Sequence, residues 1–279
     1  MKHYVFGYGS LICSKSRAIT VEALGGSDYS GIPVRLRKWI RAWNIRGPNT
    51  YLGVQSLEDE TAKSASTFSC VGLLFPLPSN QDDHEESLTA LDKRERGYIR
   101  QRVRLELIEP VMDLLVAQDT NKEVDQQERE STIYDHYYKN TFLDSSANRE
   151  DLAGETTESE VRVWIYVPIP KYTVLANNNF PFLQSYVDVC MRGCLAISRA
   201  FADEFVEGTY GWYPGDSRRC EFITTKDQNE DWDSPSSSCW VNDREKPKYS
   251  RANKEYALEH TDALDAPFGP NLVSRRETI

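Results

Sequence analysis

The chain has 279 residues, which is enough for one large domain or two small ones. Its hydrophobic content of 39% is low for a chain that is globular throughout, so we expect part of it to form loops or a tail. The formal charge of −10 argues against a nucleic-acid-binding surface and against a face for anionic membranes. It does not exclude a local basic pocket.

The cysteines are too scattered for a disulfide scaffold, and no apolar run approaches membrane-spanning length. The cysteines are Cys13, Cys70, Cys190, Cys194, Cys220 and Cys239. We therefore expect reduced thiols and a cytoplasmic protein. Cys190 and Cys194 have helical spacing, but a metal site needs more ligands than these two, so we expect no metal.

The first strand ends in a turn that is flanked by glycines. Val5 and Phe6 are strand formers, and Gly7 and Gly9 can turn sharply and carry no Cβ to shield the backbone. Ser10 adds a hydroxyl where the next segment begins. Such a turn presents backbone N–H groups, which suit a carboxylate or a developing oxyanion. A purely structural strand end is the alternative.

Short apolar runs between turns predict further strands. They cover residues 32–43, 51–55, 70–75, 98–110 and 161–167. Strands of this kind predict an α+β fold with a small mixed or antiparallel β-barrel and flanking helices. Arg35, Arg37 and Arg41 share one face of the run 32–43, where they either face solvent or supply cations to an anionic ligand.

A helix is predicted after the capping residues at 79–83. Leu88, Leu91 and Glu95 lie near one face of it, at i, i+3 and i+7, so the Glu95 carboxylate is expected to point toward the interior. Burying an unpaired carboxylate is costly. Glu95 is therefore either salt-bridged, for example by a strand arginine, or kept for chemistry with a raised pKa.

The predicted domain covers residues 1–205. An acidic insertion at about 111–160 interrupts it, and a C-terminal extension over 206–279, expected to be largely irregular, follows it. The last helix of the domain is predicted to run from Ser185 to Phe205, with Cys190 and Cys194 in its apolar stripe.

Together, the stretches 4–12 and 91–98 resemble the γ-glutamylcyclotransferase superfamily. Its members carry a Tyr-Gly-Ser strand–turn near the N-terminus and, further along, a glutamate before a Gly/Tyr pair. The leucine after Ser10 is similar to the glutathione-acting, ChaC-type branch. That branch has two glycines after the neighbour of the glutamate, whereas in this chain Arg96 is followed by Gly97 and Tyr98.

The resemblance implies a γ-glutamylcyclotransferase-like fold and release of 5-oxoproline from a γ-glutamyl compound, with glutathione as the first choice. It implies that Glu95 is the general acid/base. It also implies a substrate-binding role for the first turn and for a tyrosine on the last helix, namely Val5, Phe6, Gly7, Tyr8, Gly9, Ser10 and Tyr186. The reaction needs no cofactor or metal, and the expected partner is a small γ-glutamyl molecule rather than a nucleic acid or a membrane.

Three alternatives stay open. The substrate could be a γ-glutamyl amino acid or a γ-glutamyl amine instead of glutathione. The fold could bind such a compound without turnover. Finally, Ser10 or Cys13 could be a hydrolase nucleophile, although the sequence has no Gly-x-Ser-x-Gly elbow.

Overall fold

The computed structural model describes residues 2–25, 31–58, 67–111, 114, 161–213 and 239–278. In this part of the chain, two six-stranded mixed sheets pack with helices, which confirms the predicted α+β class. Apart from residues 111 and 114, the acidic insertion lies outside the described residues.

The first sheet contains the N-terminal strand at its centre. Its members are β1 (Lys2–Gly7), β2 (Ile32–Arg37), β5 (Ser69–Pro76), β6 (Tyr98–Val103), β7 (Ile108–Pro110) and β8 (Val161–Pro168). Their order is β6-β8-β1-β5-β2-β7, with β1 antiparallel to β5 and parallel to β8. The turn after β1 therefore starts from a strand that is held on both sides.

This sheet curls strongly, as its connection from β6 to β7 shows. The two strands lie at opposite edges, yet only a 3₁₀ turn, Leu105–Leu107, separates them in the chain. Five residues span at most about 18 Å, whereas five strand spacings in a flat sheet measure about 24 Å. The described edges are joined by this turn and not by a hydrogen-bond ladder, so the predicted barrel is a curled sheet that is not closed.

The second sheet contains several very short strands. Its members are β3 (Trp39–Arg46), β4 (Thr50–Ser56), β9 (Phe182–Leu183), β10 (Thr209–Tyr210), β11 (Trp240–Asn242) and β12 (Glu277–Thr278), in the order β10-β3-β4-β9-β11-β12. The prediction of one strand over 32–43 is wrong. Lys38 has a positive φ of 58°, so the chain turns there and its two halves enter different sheets.

Arg41 lies in the core between the sheets. Its fully buried guanidinium donates to four oxygens, which belong to Thr209 Oγ1 (2.7 Å), Val71 O (2.7 Å), Phe205 O (2.7 Å) and Tyr8 O (3.3 Å). Neither expectation for the arginine face, solvation or ligand binding, holds at Arg41, because its donors are used to bind the core backbone.

The helices surround the sheets. They are α1 (Ser14–Ala18), α2 (Gln81–Arg94), α3 (Gln184–Leu195), α4 (Arg199–Glu207), α5 (Lys254–Glu259), α6 (Thr261–Asp265) and α7 (Gly269–Val273), with further 3₁₀ turns at Glu22–Gly25, Pro170–Tyr172 and Ala266–Phe268. The helix predicted over 185–205 is divided into α3 and α4, because Ser198 caps a new helix by accepting the Phe201 N–H at 2.9 Å. Cys190 and Cys194 are buried in the core, as predicted. None of the described helices is long and apolar enough to cross a membrane.

The C-terminal extension, predicted to be largely irregular, is instead folded over residues 239–278. It adds β11 and β12 to the second sheet, packs α5 and α6 beside α3, and packs α7 against the 3₁₀ turn Ala266–Phe268. Buried ion pairs hold it there. Arg244 binds Asp188 of α3 at 2.6 Å and Asp265 at 2.7 Å, and Arg276 binds Asp265 at 2.6 Å.

Replacing Arg244 with methionine leaves the buried carboxylate of Asp188 without its charged partner. We expect the free energy of unfolding to fall by about 3–5 kcal/mol, as when one member of a buried ion pair is removed. Urea denaturation measures the change. Lys254→Met, whose ion pair with Glu245 is exposed, is the control and should cost less than about 1 kcal/mol. If both substitutions lower the free energy of unfolding by the same amount, the buried ion pairs of Arg244 do not stabilise the fold more than an exposed pair does.

Candidate active site

The turn that follows β1 folds back closely on the end of the strand. The Ile12 N–H donates to Gly9 O at 2.9 Å. A Cβ on Gly7 would lie 2.9 Å from the Leu11 Cβ and 3.0 Å from the Leu11 carbonyl carbon. Because these distances leave no space for a side chain, the tight return of the chain requires glycine at position 7.

Buried arginines bind the carbonyl groups of this turn. Arg17 donates to Leu11 O at 2.7 Å and to Ile12 O at 2.9 Å, and Arg41 donates to Tyr8 O. Burial lowers the pKa of Arg17 to about 10, so the group stays protonated at neutral pH. The turn is thus fixed through its carbonyl oxygens.

Val5, Phe6 and Tyr8 support the turn from the core side. Val5 and Phe6 are buried, and both pair with residues of β5. The Tyr8 hydroxyl donates to Tyr166 O at 2.6 Å. Of the residues predicted to bind substrate, these three have side chains occupied in the core.

Arg94, the last residue of α2, connects this turn to the helix. Its side chain is 4% exposed. Its donors reach five oxygen atoms, which are Ser10 Oγ (2.9 Å), Ser16 Oγ (3.0 Å), Ser16 O (2.9 Å), Thr20 Oγ1 (3.0 Å) and Glu95 Oε1 (2.9 Å). Arg94 therefore brings Ser10 of the turn and Glu95 into one cluster.

Glu95 follows the last turn of α2. The predicted buried face of this helix is confirmed, since Leu88 and Leu91 are buried. Glu95 leaves the helix with φ −94° and ψ 46°, and its side chain is 16% exposed. Its ion-pair partner is Arg94, next to it in the chain, and not a strand arginine.

The electrostatic balance at Glu95 favours the protonated form relative to an ordinary glutamate. Burial raises the pKa of Glu95, whereas the charges of Arg94 and Arg251 lower it, and the net pKa is raised. The negative end of the α2 dipole also disfavours a carboxylate at this position. Glu95 is therefore salt-bridged, as the first interpretation expects, and its pKa is raised, which the second requires.

The Ser10 hydroxyl is oriented as a donor. Its oxygen accepts from Arg94 and, at 3.0 Å, from the Tyr249 hydroxyl. A hydroxyl has two acceptor positions and one donor. With Tyr249 as the donor in this pair, the hydrogen of Ser10 is available to an anionic group of a ligand.

Tyr186 lies against the same turn. A Cβ on Gly9 would be 2.7 Å from the Tyr186 hydroxyl oxygen. The ring of Tyr186 makes edge contacts with Trp43, Tyr51 and Tyr249, with centroid distances of 5.7, 5.2 and 4.9 Å. The structure thus brings the turn at Gly9 and Ser10 against Tyr186 and, through Arg94, beside Glu95, although these three segments are far apart in sequence.

The sequence did not indicate that the C-terminal extension contributes to this cluster. Asp243 accepts from the Ser185 N–H at 2.8 Å, the Ser185 hydroxyl at 2.6 Å and the Lys248 N–H at 2.8 Å, and the Tyr249 N–H donates to the Ser185 hydroxyl at 3.2 Å, which positions Tyr249. The segment has no periodicity that could have predicted this. Arg94 was also missed, although its position beside the buried face of α2 could have suggested it.

A separate cavity of about 570 Å³ lies at the other end of β1. Its lining includes Lys2, His3, His84, Glu85 and Arg162, and none of the cluster around Ser10. His3 there accepts from Trp164 Nε1 at 3.2 Å. In the described ranges, no group of three or more His, Cys, Asp or Glu residues could hold a metal ion.

Comparison with known proteins gives little beyond this geometry. No protein-family model matches the chain, and no curated protein matches it. Among solved structures, it is similar to a γ-glutamyl cyclotransferase specific to glutathione from yeast, with 16% identity and a TM-score of 0.36. The match covers 72% of this chain and 87% of the yeast chain. A TM-score this low supports no conclusion about the function of this chain.

Gly9→Ala should place a methyl group against the Tyr186 hydroxyl and lower the free energy of unfolding by about 1–3 kcal/mol. In a Tyr186→Phe background, where that oxygen is absent, the same substitution should cost less than half as much. Urea denaturation of the four proteins in this double-mutant cycle measures the coupling.

Gly97→Ala is the matched control for this cycle. Its Cβ would meet Ile45 at 3.8 Å, an ordinary contact, so we expect a change near zero. If Gly9→Ala costs the same with and without the Tyr186 hydroxyl, the contact between the turn and α3 is not as described.

Proposed function

We propose that the protein is a γ-glutamylcyclotransferase that converts a γ-glutamyl compound, with glutathione as the first choice, into 5-oxoproline and the released amine. From glutathione, the released amine is cysteinylglycine. The observation that carries the proposal is Glu95, a largely buried carboxylate with a raised pKa, tied through Arg94 to the Ser10 hydroxyl of the glycine turn. The resemblance of the stretches 4–12 and 91–98 to the superfamily supports it further.

The reaction is an intramolecular aminolysis. The α-amine of the γ-glutamyl group attacks its own γ-carbonyl carbon, a C–N bond forms and closes a five-membered lactam, and the former amide C–N bond breaks. Because nucleophile and electrophile belong to one molecule, the main task of the protein is to hold the reactive conformer.

Glu95 is the proposed proton carrier. The α-amine is protonated at neutral pH and must lose a proton before it can attack, and the leaving nitrogen must gain one. A carboxylate with a raised pKa is suited to both transfers. The attacking nitrogen gives up two protons in passing from ammonium to lactam N–H, and the leaving nitrogen takes up two and departs as an ammonium, with Glu95 as the carrier between them. Because the nucleophile is the amine, no water is consumed.

The turn after β1 is the proposed anion-binding element. The Ser10 hydroxyl and the backbone N–H groups around Gly7 to Ser10 would bind the α-carboxylate or the oxyanion that forms on the γ-carbonyl. Val5, Phe6 and Tyr8 would act from the core by fixing the turn, and Tyr186 would line the pocket. Donors that are already in place stabilise such charge without reorganisation.

The hydrolase alternative has less support. The described contacts of Ser10 are with Arg94 and Tyr249, and neither is a histidine that could serve as its base. Cys13 is buried. The non-catalytic alternative leaves the desolvation of Glu95 without a purpose, since a binding module gains nothing from a buried acid.

Glu95→Gln keeps the shape of the side chain but removes its proton transfer. We expect 5-oxoproline release from glutathione to fall by about 100-fold or more, in the range of general acid–base catalysis. Glu86→Gln, the same change on the exposed face of α2, should leave the rate unchanged. If the unaltered protein releases 5-oxoproline from no γ-glutamyl compound, the proposal is refuted. Release of glutamate instead, lost with Ser10→Ala but not with Glu95→Gln, would favour a serine hydrolase.

The pH dependence of kcat/KM should reveal the raised pKa of Glu95 in the free protein. Glu95 must be ionised to accept the proton, so kcat/KM should rise with pH, and burial should move the midpoint above the ordinary glutamate value of 4.5. Initial rates at glutathione concentrations well below KM, from acidic to neutral pH, measure it. The Glu86→Gln protein should have an unchanged midpoint. A midpoint at or below the ordinary value would contradict the role of Glu95 as base.

A further inference from the structure

Arg251 of the C-terminal extension is a cation that the proposed mechanism does not yet use. It lies two residues after Tyr249, whose hydroxyl contacts Ser10, and the Tyr249 carbonyl accepts from the Ala252 N–H at 3.0 Å. Its Nε atom is buried, and within the described residues it has no hydrogen-bond partner. A buried donor of this kind costs free energy unless a ligand satisfies it.

The charges around Glu95 do not balance. Among the described residues, the ionised groups whose charges act on Glu95 are Arg94 and Arg251, so one carboxylate faces two guanidinium groups. Arg94 uses its donors on Ser10, Ser16, Thr20 and Glu95. Within the described part of the chain, Arg251 is therefore the cation that remains for a ligand, and the groups of the cluster carry one surplus positive charge.

Substrate classes differ in the charge that they bring. The γ-glutamyl group itself carries an ammonium and a carboxylate, which cancel. A γ-glutamyl amine adds no further charge, whereas a γ-glutamyl amino acid or peptide adds one carboxylate on the leaving group. Only the second class neutralises the surplus charge of the cluster.

We propose that Arg251 binds the carboxylate of the leaving group, so that the site selects γ-glutamyl amino acids and peptides, glutathione included, over γ-glutamyl amines. The inference rests on the proposed function for the identity of the γ-glutamyl group. The C-terminal extension would then bind the leaving group of the substrate. A guanidinium is suited to this task because its planar donors match a carboxylate.

The test compares glutathione with its C-terminal amide, which lacks only the charge in question. Both are titrated calorimetrically into Glu95→Gln protein, in which we expect turnover to be about 100-fold slower or more. With Arg251 present, we expect glutathione to bind about 10- to 100-fold more tightly than the amide, the range for a hydrogen bond to a charged group. With Arg251→Gln, the two compounds should bind within about threefold of each other.

Two further variants separate a charge contact from a structural effect. Arg251→Lys keeps the charge and should retain part of the preference for the carboxylate. Arg96 is an exposed arginine next to Glu95, and its Nε donates to Lys93 O. Arg96→Gln should therefore retain the full preference for the carboxylate. Thermal unfolding of each variant checks that the fold persists.

The outcomes distinguish this inference from the proposed function. A carboxylate preference that survives Arg251→Gln, equal binding of both compounds with Arg251 present, or binding of neither would overturn the role of Arg251. Release of 5-oxoproline, measured separately with Glu95 intact, reports on the proposed function. If no 5-oxoproline is released but the preference for glutathione over its amide depends on Arg251, the proposed enzymatic function is refuted. Arg251 would then be the residue that selects the ligand of a non-catalytic binding site.

Discussion

The arrangement of the site depends on the buried guanidinium of Arg94. Arginine has five N–H donors and no acceptor, and the five contacts of Arg94 match that number. They fasten the end of α2 to α1 and to the turn after β1, and they neutralise Glu95. No other described side chain bonds to both Glu95 and Ser10 of the glycine turn. The proximity of these two residues therefore depends on Arg94.

Glu95 is held between two opposing effects. Burial alone would keep the carboxyl group protonated and unable to accept a proton, whereas full pairing with arginines would make it too weak a base. The structure lies between these limits, because Arg94 and Arg251 reduce the effect of burial without cancelling it. That balance depends on two distant segments, so the proton affinity of Glu95 is a property of the assembled fold and not of its own helix.

Local patterns predicted the parts of the fold that local physics determines. The glycine turn and the buried face of α2 follow from steric freedom and helical periodicity. Alternation in a strand shows which residues share a face, but not whether another layer covers that face, so Arg41 was expected at solvent or ligand and lies in the core. The extension was misjudged for a similar reason, since Arg244 and Asp265 look like surface charge until Asp188 of a distant helix pairs with Arg244.

The boundary drawn at residue 205 separates elements that work together. Ser185 binds the extension at Asp243, and the next residue, Tyr186, contacts both the extension at Tyr249 and the glycine turn at Gly9. Because Tyr249 supplies one of the two hydrogen bonds accepted by Ser10, the donor character of that hydroxyl depends on residues beyond the predicted domain. The extension is thus part of the proposed active site, and the glycine turn and Glu95 form only the portion of it that a short motif can encode.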